Sequence, residues 1–287
     1  MRIVALILAA LASTLDWSAA ADAAPASEQP LARITIRSVG EGMPVIFIPG
    51  LASPPSVFGE AAEKIGKGNH LIFVQMNGFA GSAPNAAGVD NLLPGAVDEL
   101  AAWLVANHLN KAAVIGHSMG GLMALMLAKR HPEAASRLLI VDSLPFYGML
   151  FGPNATPENV RPVVEQMRAG LVAGTTPPQV PPHMSNSEAN KAKILAWLKA
   201  SDPKTVGEAL VEDATTDVRP DLASIKIPVT VLYAVPTPES KAMIAGLYAS
   251  AYKDLSNVRL IPVEGSEHFI MLDQPTSFDN AVEYFVR

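Results

Sequence analysis

Cysteine is absent from the 287-residue sequence. Its absence excludes a disulfide, a metal site built from thiolates, a cysteine nucleophile and a lipidated cysteine. A core of about 260 residues does not need disulfides for stability, because a domain of that size buries a large apolar surface. The composition, with 49% hydrophobic and 17% charged residues, is that of a folded globular domain.

Other signatures of partners and cofactors are also missing. The formal net charge is −6, and Lys and Arg form no basic stripe, so nucleic acid is not an expected partner. No cluster of residues has the spacing of a metal site, and the phosphate-binding pattern G-x-x-x-x-G-K-[ST] does not occur. The sequence therefore implies neither a metal nor a nucleotide.

Long apolar runs are missing except at the amino terminus. Arg2 precedes the apolar run Ile3–Ala12, and small residues around Ala19–Ala24 offer A-x-A-like cleavage sites. This pattern is typical of a secretory signal peptide. A membrane-spanning helix needs about 20 apolar residues, and Asp16 ends this run too early. We therefore predict that residues 1–24 are removed and that the protein is periplasmic or secreted, without stable membrane insertion.

The rest of the chain alternates short apolar runs with segments of helical period. Uninterrupted apolar strands that alternate with helices predict an α/β fold with a mostly parallel sheet covered on both faces. The stretch from Ala24 to about Pro30, ahead of the first run, is interpreted as a linker. The strand candidates are Ile34–Arg37, Val45–Ile48, His70–Gln75, Ala112–Ile115, Leu138–Val141, Val229–Tyr233 and Val258–Pro262.

One stretch interrupts this alternation. No strand-like run occurs from about Pro145 to Val218, and three helix starts take its place. Thr156-Pro157 and Asp202-Pro203 each combine an N-cap residue with proline at the first helical position. Ser185 and Glu188 form a capping box, S-x-x-E. These signals predict a helical insertion.

The insertion divides the chain into two parts. We predict a core domain of residues 31–144 and 219–287, and a helical cap, or lid, of residues 145–218. Two aromatic side chains at the start of the cap, Phe146 and Tyr147, indicate an apolar pocket for a small-molecule substrate. Packing within the cap is the alternative explanation for them.

The most informative segment is Gly116-His117-Ser118-Met119-Gly120. It follows an apolar strand candidate and opens a helical pattern, which is the context of the G-x-S-x-G nucleophile elbow. The start of the helix supplies N–H groups that stabilise a developing oxyanion. The alternative is a glycine-rich turn in which Ser118 merely caps the helix. We predict that Ser118 is a nucleophile.

A serine nucleophile of this kind needs a histidine late in the chain, because the order is Ser, acid, His. His268 follows the last strand candidate and precedes the final helix, so it is the predicted general base. His117 belongs to the elbow and is expected to point away from the base. Structural or surface roles explain the remaining histidines: His70, His108, His131 and His183.

Four segments together resemble the α/β-hydrolase superfamily, in the type with a helical cap: Val45–Leu51, Asn77–Ser82, Gly116–Gly120 and His268–Pro275. The resemblance covers nearly the whole chain after the signal peptide, and it is specific to a fold rather than to a substrate. It implies an eight-stranded, mostly parallel sheet with helices on both faces, a cap inserted after the sixth strand, and no cofactor. It also implies an oxyanion hole formed by the backbone N–H groups of Leu51 and Met119.

The chain departs from this family at the triad acid. Many relatives carry an Asp just past the penultimate strand, but here Val229–Tyr233 runs into Ala234–Pro238, which contains no carboxylate. Glu239 is near, although a role at the start of the next helix suffices for it. The other position used in the superfamily is occupied by Asp142, which is our preferred acid. Three alternatives to this assignment stay open: Glu239 is the acid, the acid is weak or absent, or Asp142 has a purely structural role.

These residues predict a serine hydrolase that cleaves an ester-like bond of a small apolar substrate. His268 takes the proton of Ser118, the serine oxygen attacks a carbonyl carbon, and water resolves the acyl-enzyme. A lactonase, an amidase or an acyltransferase uses the same groups. A catalytically idle binding protein of the same fold is a further alternative, because the commoner acid position is empty.

Overall fold

The computed structural model describes residues 27–287. The predicted signal peptide, residues 1–24, lies outside the described residues. None of the helices in the described part combines the length and the hydropathy that a membrane span requires.

Eight strands form one sheet in the described chain: β1 (Ser27–Pro30), β2 (Ile34–Val39), β3 (Met43–Ile48), β4 (Asn69–Met76), β5 (Ala112–His117), β6 (Ala135–Val141), β7 (Val229–Val235) and β8 (Val258–Glu264). Their order is β1-β2-β4-β3-β5-β6-β7-β8. The β1–β2 and β2–β4 pairs are antiparallel, and the remaining pairs are parallel. The predicted eight-stranded, mostly parallel sheet is confirmed.

The edge strand β1 corrects the sequence-based expectation of a linker up to Pro30. Its four residues are exposed and pair with β2. Pro30 lacks a backbone N–H and fits an edge, where one side of the strand needs no partner. The side chain of Gln29 also accepts a hydrogen bond from the indole N–H of Trp103 at 2.8 Å. Pairing with β2 thus orders a segment whose composition carries no strand signal.

Helices cover both faces of the sheet: α1 (Gly59–Lys64), α2 (Leu92–Ala106), α3 (Met119–Arg130), α4 (Pro157–Val172), α5 (Glu188–Ala200), α6 (Pro203–Thr215), α7 (Lys241–Ala251), α8 (Ile270–Asp273) and α9 (Pro275–Val286). Side chains alternate between the two faces along a strand. In β3, Ile46 and Ile48 therefore belong to the core cluster that includes residues of α2, α3 and α7, whereas Val45 and Phe47 belong to the one that includes residues of α1 and α9. Burial on both faces explains why the central strands are uninterrupted apolar runs.

Helices α4, α5 and α6 lie between β6 and β7, after the sixth strand, as the resemblance implies. Two of the three predicted helix starts are confirmed. Thr156 caps α4 by accepting a hydrogen bond from the N–H of Asn159, and Asp202 caps α6 by accepting one from the N–H of Thr205. A small apolar cluster joins α4 to α6.

The third predicted start is wrong by two residues. The N-cap of α5 is Ser187, whose hydroxyl accepts from the N–H of Asn190. Ser185 is fully buried and donates its hydroxyl to the carboxylate of Asp273, at the end of α8. The S-x-x-E pattern predicts that the Ser185 hydroxyl forms a capping box with Glu188. Instead, this hydroxyl donates its hydrogen bond to Asp273, which is distant in sequence.

Candidate active site

Ser118 occupies the sharp turn between β5 and α3. Its φ is 53° and its ψ is −125°, a backbone conformation that a residue with a side chain rarely adopts. The flanking glycines permit the close approach that this turn needs. A Cβ on Gly116 would lie 2.2 Å from the carbonyl oxygen of Gly120, and one on Gly120 would lie 2.1 Å from that of Ile48. The G-x-S-x-G pattern therefore has a steric cause here.

His268 and Asp142 meet at the carboxyl end of the sheet. Nδ1 of His268 lies 2.7 Å from a carboxylate oxygen of Asp142, which directly follows β6. The other carboxylate oxygen accepts hydrogen bonds from the backbone N–H of Ala234 at 2.8 Å and from the hydroxyl of Tyr248 at 3.0 Å. Strand β7, which lacks an acid at its own end, thus supplies an N–H donor to the acid on β6.

The surroundings of Asp142 decide its charge. Burial raises the pKa of its carboxyl, but the hydrogen bond and positive charge of His268, with the bonds from Ala234 and Tyr248, outweigh burial and leave the pKa below 3.8. The group is therefore a carboxylate at neutral pH. A carboxylate on Nδ1 keeps that nitrogen protonated and leaves Nε2 as the proton acceptor.

The structure corrects the expected orientation of His117. Its ring does not point away from the base: it lies 4.7 Å from the ring of His268, centroid to centroid, and Nε2 is 3.1 Å from the carbonyl oxygen of His268. Complete burial, with the charge of His268, lowers the pKa of His117 to about 3. The neutral ring therefore donates from Nε2. Gly50 makes room for it, because a Cβ there would lie 3.0 Å from Nδ1.

Two backbone N–H groups border the turn of Ser118. Leu51 follows Pro49 and Gly50, which come directly after β3, and Met119 is the first residue of α3. Within residues 27–287, neither N–H donates a hydrogen bond to the protein. The first N–H groups of a helix have no acceptor within it, so Met119 is free for a ligand. The oxyanion role of this pair stays a prediction.

A cavity of about 680 Å³ opens beside these groups. Ser118, His268 and Leu51 line it from the core, and the helices between β6 and β7 close the other side with mostly apolar side chains. This volume lies within the usual 300–1,000 Å³ of small-molecule sites. The position at the carboxyl ends of parallel strands is also the usual one for ligands in α/β folds.

Of the two aromatic residues predicted to bind substrate, Phe146 and Tyr147, only Tyr147 lines the cavity. Phe146 does not, because its ring is fully buried against Val160 and Val164, with the guanidinium of Arg219 4.7 Å from the ring centre. The expectation of a direct substrate contact is therefore wrong for Phe146, and packing within the insertion explains this residue.

Glu239 stays apart from His268. It lies exposed in a short helical turn, Pro238–Ser240, where the bond from its own backbone N–H, followed by that from Thr237, lowers the pKa of its carboxyl. This is the N-terminal position anticipated as the alternative role. Asp142 is thus the carboxylate on His268.

Sequence reasoning missed two polar groups of the site. Tyr248 reaches Asp142 from α7, and no local pattern signals such a contact across elements. Asp213 lines the cavity from α6. Its spacing gave a usable signal, because it lies four residues after Ala209 and seven after Val206, on the apolar face of the helix.

Known proteins resemble this chain over most of its length. A family model for the alpha/beta hydrolase family matches residues 45–281. The pimeloyl-[acyl-carrier protein] methyl ester esterase of Aeromonas salmonicida is 28% identical over 262 residues, which cover 88% of this chain and 99% of that protein. N-formylmaleamate deformylase of Pseudomonas putida is 24% identical over 201 residues, covering 69% and 73%.

Solved structures share the fold. The structure of Est816, described as an N-acyl homoserine lactone degrading enzyme, matches with a TM-score of 0.69 and 21% identity, over 91% of this chain and 100% of that one. An identity this low shows the fold alone.

Proposed function

Because the chain belongs to the alpha/beta hydrolase family and is a hydrolase, we propose that it cleaves a carboxylic ester through an acyl-enzyme on Ser118. The observation that carries the proposal is the 2.7 Å hydrogen bond between His268 and Asp142 at the cavity that Ser118 lines. A histidine held in this way presents Nε2 as a general base.

The chemistry follows from these groups. Nε2 of His268 takes the proton of Ser118, and the serine oxygen attacks the ester carbonyl carbon. The carbonyl oxygen becomes negative and accepts hydrogen bonds from the free N–H groups of Leu51 and Met119. His268 then gives its proton to the departing alcohol. Water repeats the sequence on the acyl-enzyme and releases the acid.

Asp142 remains ionised throughout this cycle. Its lowered pKa supports that role, because a carboxylate stabilises the imidazolium that forms on His268. Three donors hold its two oxygens, so the carboxylate orients the ring without reorganising during the reaction.

The apolar wall of the cavity supports a small, mostly apolar ester as the substrate. The methyl ester named for the Aeromonas relative is consistent with that class. The same serine, histidine and backbone N–H groups would also act on lactones and amides, or transfer the acyl group to an acceptor other than water. Comparing the rates on these substrates distinguishes the possibilities.

Covalent labelling by a fluorophosphonate probe tests the proposal. We expect the wild-type protein to be labelled, Ser118→Ala to lose the label, and Ser143→Ala, which removes another serine hydroxyl at the cavity, to keep it. A folded wild-type protein without label would support an idle binding protein instead. Labelling that persists in Ser118→Ala would assign the nucleophile elsewhere.

A panel of p-nitrophenyl esters of increasing acyl length, with lactones and amides beside them, tests the substrate class. We expect turnover of the esters, with kcat/KM falling once the acyl chain exceeds the cavity. Preferential turnover of lactones or amides would overturn the ester assignment while leaving the nucleophile in place.

A further inference from the structure

Asp213 is a buried carboxyl group at the cavity that no step of the proposed reaction uses. It lies on α6, is 6% exposed and lines the cavity together with Ser118 and His268. Within residues 27–287 its carboxyl makes no hydrogen bond and no ion pair. A carboxylate that is largely removed from water and has no partner in the protein is costly, and such groups are rare.

The other two carboxylates on α6, Glu208 and Glu212, each have a hydrogen-bond or ion-pair partner. Glu208 pairs with Arg168 at 2.7 Å. Glu212 accepts hydrogen bonds from the backbone N–H groups of Leu92 and Leu93 at 2.8 and 2.6 Å. Asp213 caps nothing and neutralises nothing, on a helix face where apolar residues precede it. A structural role therefore does not account for it.

Tyr147 is a second polar group in the same part of the cavity wall. Its hydroxyl likewise has no hydrogen-bond partner in the described chain. The backbone segments that carry the two side chains adjoin, because a Cβ on Gly148, next to Tyr147, would lie 2.9 Å from the carbonyl oxygen of Ala214, next to Asp213. Burial raises the pKa of Tyr147, and the negative charge of Asp213 raises it further. Burial raises the pKa of Asp213 in turn to about 7, although the charge of His268 opposes this shift.

These two groups define the chemistry of a matching ligand. A carboxylate only accepts hydrogen bonds, whereas a phenol both donates and accepts them. A hydroxyl group satisfies both partners at once, because it donates to Asp213 and accepts from Tyr147. An ammonium group only donates hydrogen bonds, so it cannot accept the one that the phenol O–H of Tyr147 offers.

We propose that Asp213 and Tyr147 form a specificity subsite that binds a hydroxyl group of the ester substrate. The inference rests on the proposed ester hydrolysis and adds a polar requirement to an otherwise apolar cavity. A site built to bind a hydroxyl rejects the analogue that lacks it, because its own polar groups are then left unpaired.

Matched ester pairs test the subsite. Methyl 6-hydroxyhexanoate is compared with methyl heptanoate, and 4-hydroxybutyl acetate with pentyl acetate, so that each pair exchanges a hydroxyl for a methyl. The quantity measured is the ratio of kcat/KM for the hydroxylated ester to that for the apolar one. We expect the wild-type ratio to exceed one in at least one pair, and Asp213→Leu to lower that ratio about tenfold, mainly through KM.

Further variants separate recognition from packing. Asp213→Asn keeps the side-chain size and is expected to lower the ratio less than Asp213→Leu, and Tyr147→Phe to lower it about threefold. Glu208→Gln is the matched control, an acid on the same helix outside the cavity, and is expected to leave the ratio unchanged. A ratio that stays within twofold in Asp213→Leu for both pairs would overturn the inference. A preference for methyl 6-aminohexanoate over both uncharged esters would do so too, by indicating a cation site.

Probe labelling keeps the two hypotheses distinguishable. Glu208→Gln, which lies outside the cavity, is expected to bind the fluorophosphonate at Ser118 like the wild type. If the wild type is labelled and hydrolyses both esters of a pair equally, only the subsite is refuted. If the wild type is neither labelled nor active on any ester, the proposed function itself fails.

Discussion

Asp142 accepts hydrogen bonds from three donors, on β7, on α7 and in the loop after β8, which makes its replacement a sharp test. We expect Asp142→Asn to lower kcat on a p-nitrophenyl ester by about 10³ to 10⁴, because an amide no longer fixes the Nδ1–H tautomer of His268 or stabilises the imidazolium. Steady-state kinetics at saturating ester measure this. Glu239→Gln is the control, and it should change kcat less than twofold. The reverse pattern would refute Asp142 as the acid.

The unpaired carboxyl of Asp213 makes stability depend on pH. Its pKa is about 7 in the fold against 3.8 for the free group, so the folded state binds the proton more tightly and loses stability as pH rises from about 4 to 7. We expect Asp213→Asn to be more stable than the wild type by at most about 4 kcal/mol at pH 8. The gain should vanish near pH 4.

Thermal unfolding of both proteins across this pH range measures the difference. A gain that is the same at pH 4 and pH 8 would contradict an ionisable origin and point to packing instead.

At the scale of single residues, local sequence patterns predict which residues form the site better than they predict where the side chains point. The glycines around Ser118 and the late position of His268 are enough to predict these two residues, because the chemistry requires the G-x-S-x-G spacing and a histidine after the serine in the chain. His117 and Phe146 differ from expectation because the side of a turn on which a ring packs depends on distant neighbours. Those neighbours are Gly50 for His117 and the helix α4 for Phe146.

At the scale of elements, the segment before α5 is tied to the loop of the catalytic base candidate. The backbone N–H groups of His268 and Phe269 donate to the carbonyl oxygens of His183 and Met184, at 3.2 and 3.0 Å. Ser185 adds the hydrogen bond to Asp273. The insertion therefore helps to hold the loop of His268 as well as covering the cavity.

Ser185→Ala tests this coupling. It leaves the half-buried carboxylate of Asp273 with one donor fewer, so we expect a loss of about 1–3 kcal/mol in stability and a several-fold fall in kcat. Ser187→Ala is the matched control, since it removes only the cap of α5, at a cost of about 1 kcal/mol, and should leave kcat unchanged. Denaturant unfolding and ester kinetics measure both. Equal kcat values for the two variants would argue against the coupling.

Which elements form is largely predictable, because buried strands and capped helices leave strong patterns. The exceptions have physical causes. Strand β1 is polar and exposed, so its order comes from pairing with β2 rather than from its composition. The start of α5 moves to Ser187 because Asp273, 88 residues away from Ser185 in sequence, competes for that hydroxyl.

At the scale of the whole molecule, the start of the sheet is compatible with the proposed export. The predicted cleavage sites lie at Ala19–Ala24, and β1 begins at Ser27. Cleavage there leaves every described strand intact. The absence of cysteine means that folding outside the cytoplasm involves no disulfide formation.

Fractionation of cells that express the full chain tests export. We expect the protein in the periplasm or the medium, with a new amino terminus between residues 20 and 25, because a positive charge followed by a short apolar run directs secretion and is then removed. Leu8→Arg places a charge within that apolar run and should hold the uncleaved chain in the cytoplasm. The β1–β2 pair lies beyond the cleavage sites, so exported and retained protein should unfold at the same temperature after purification. A wild-type chain that keeps Met1 and stays in the cytoplasm would contradict the proposal, and the ester substrate would then have to be an intracellular one.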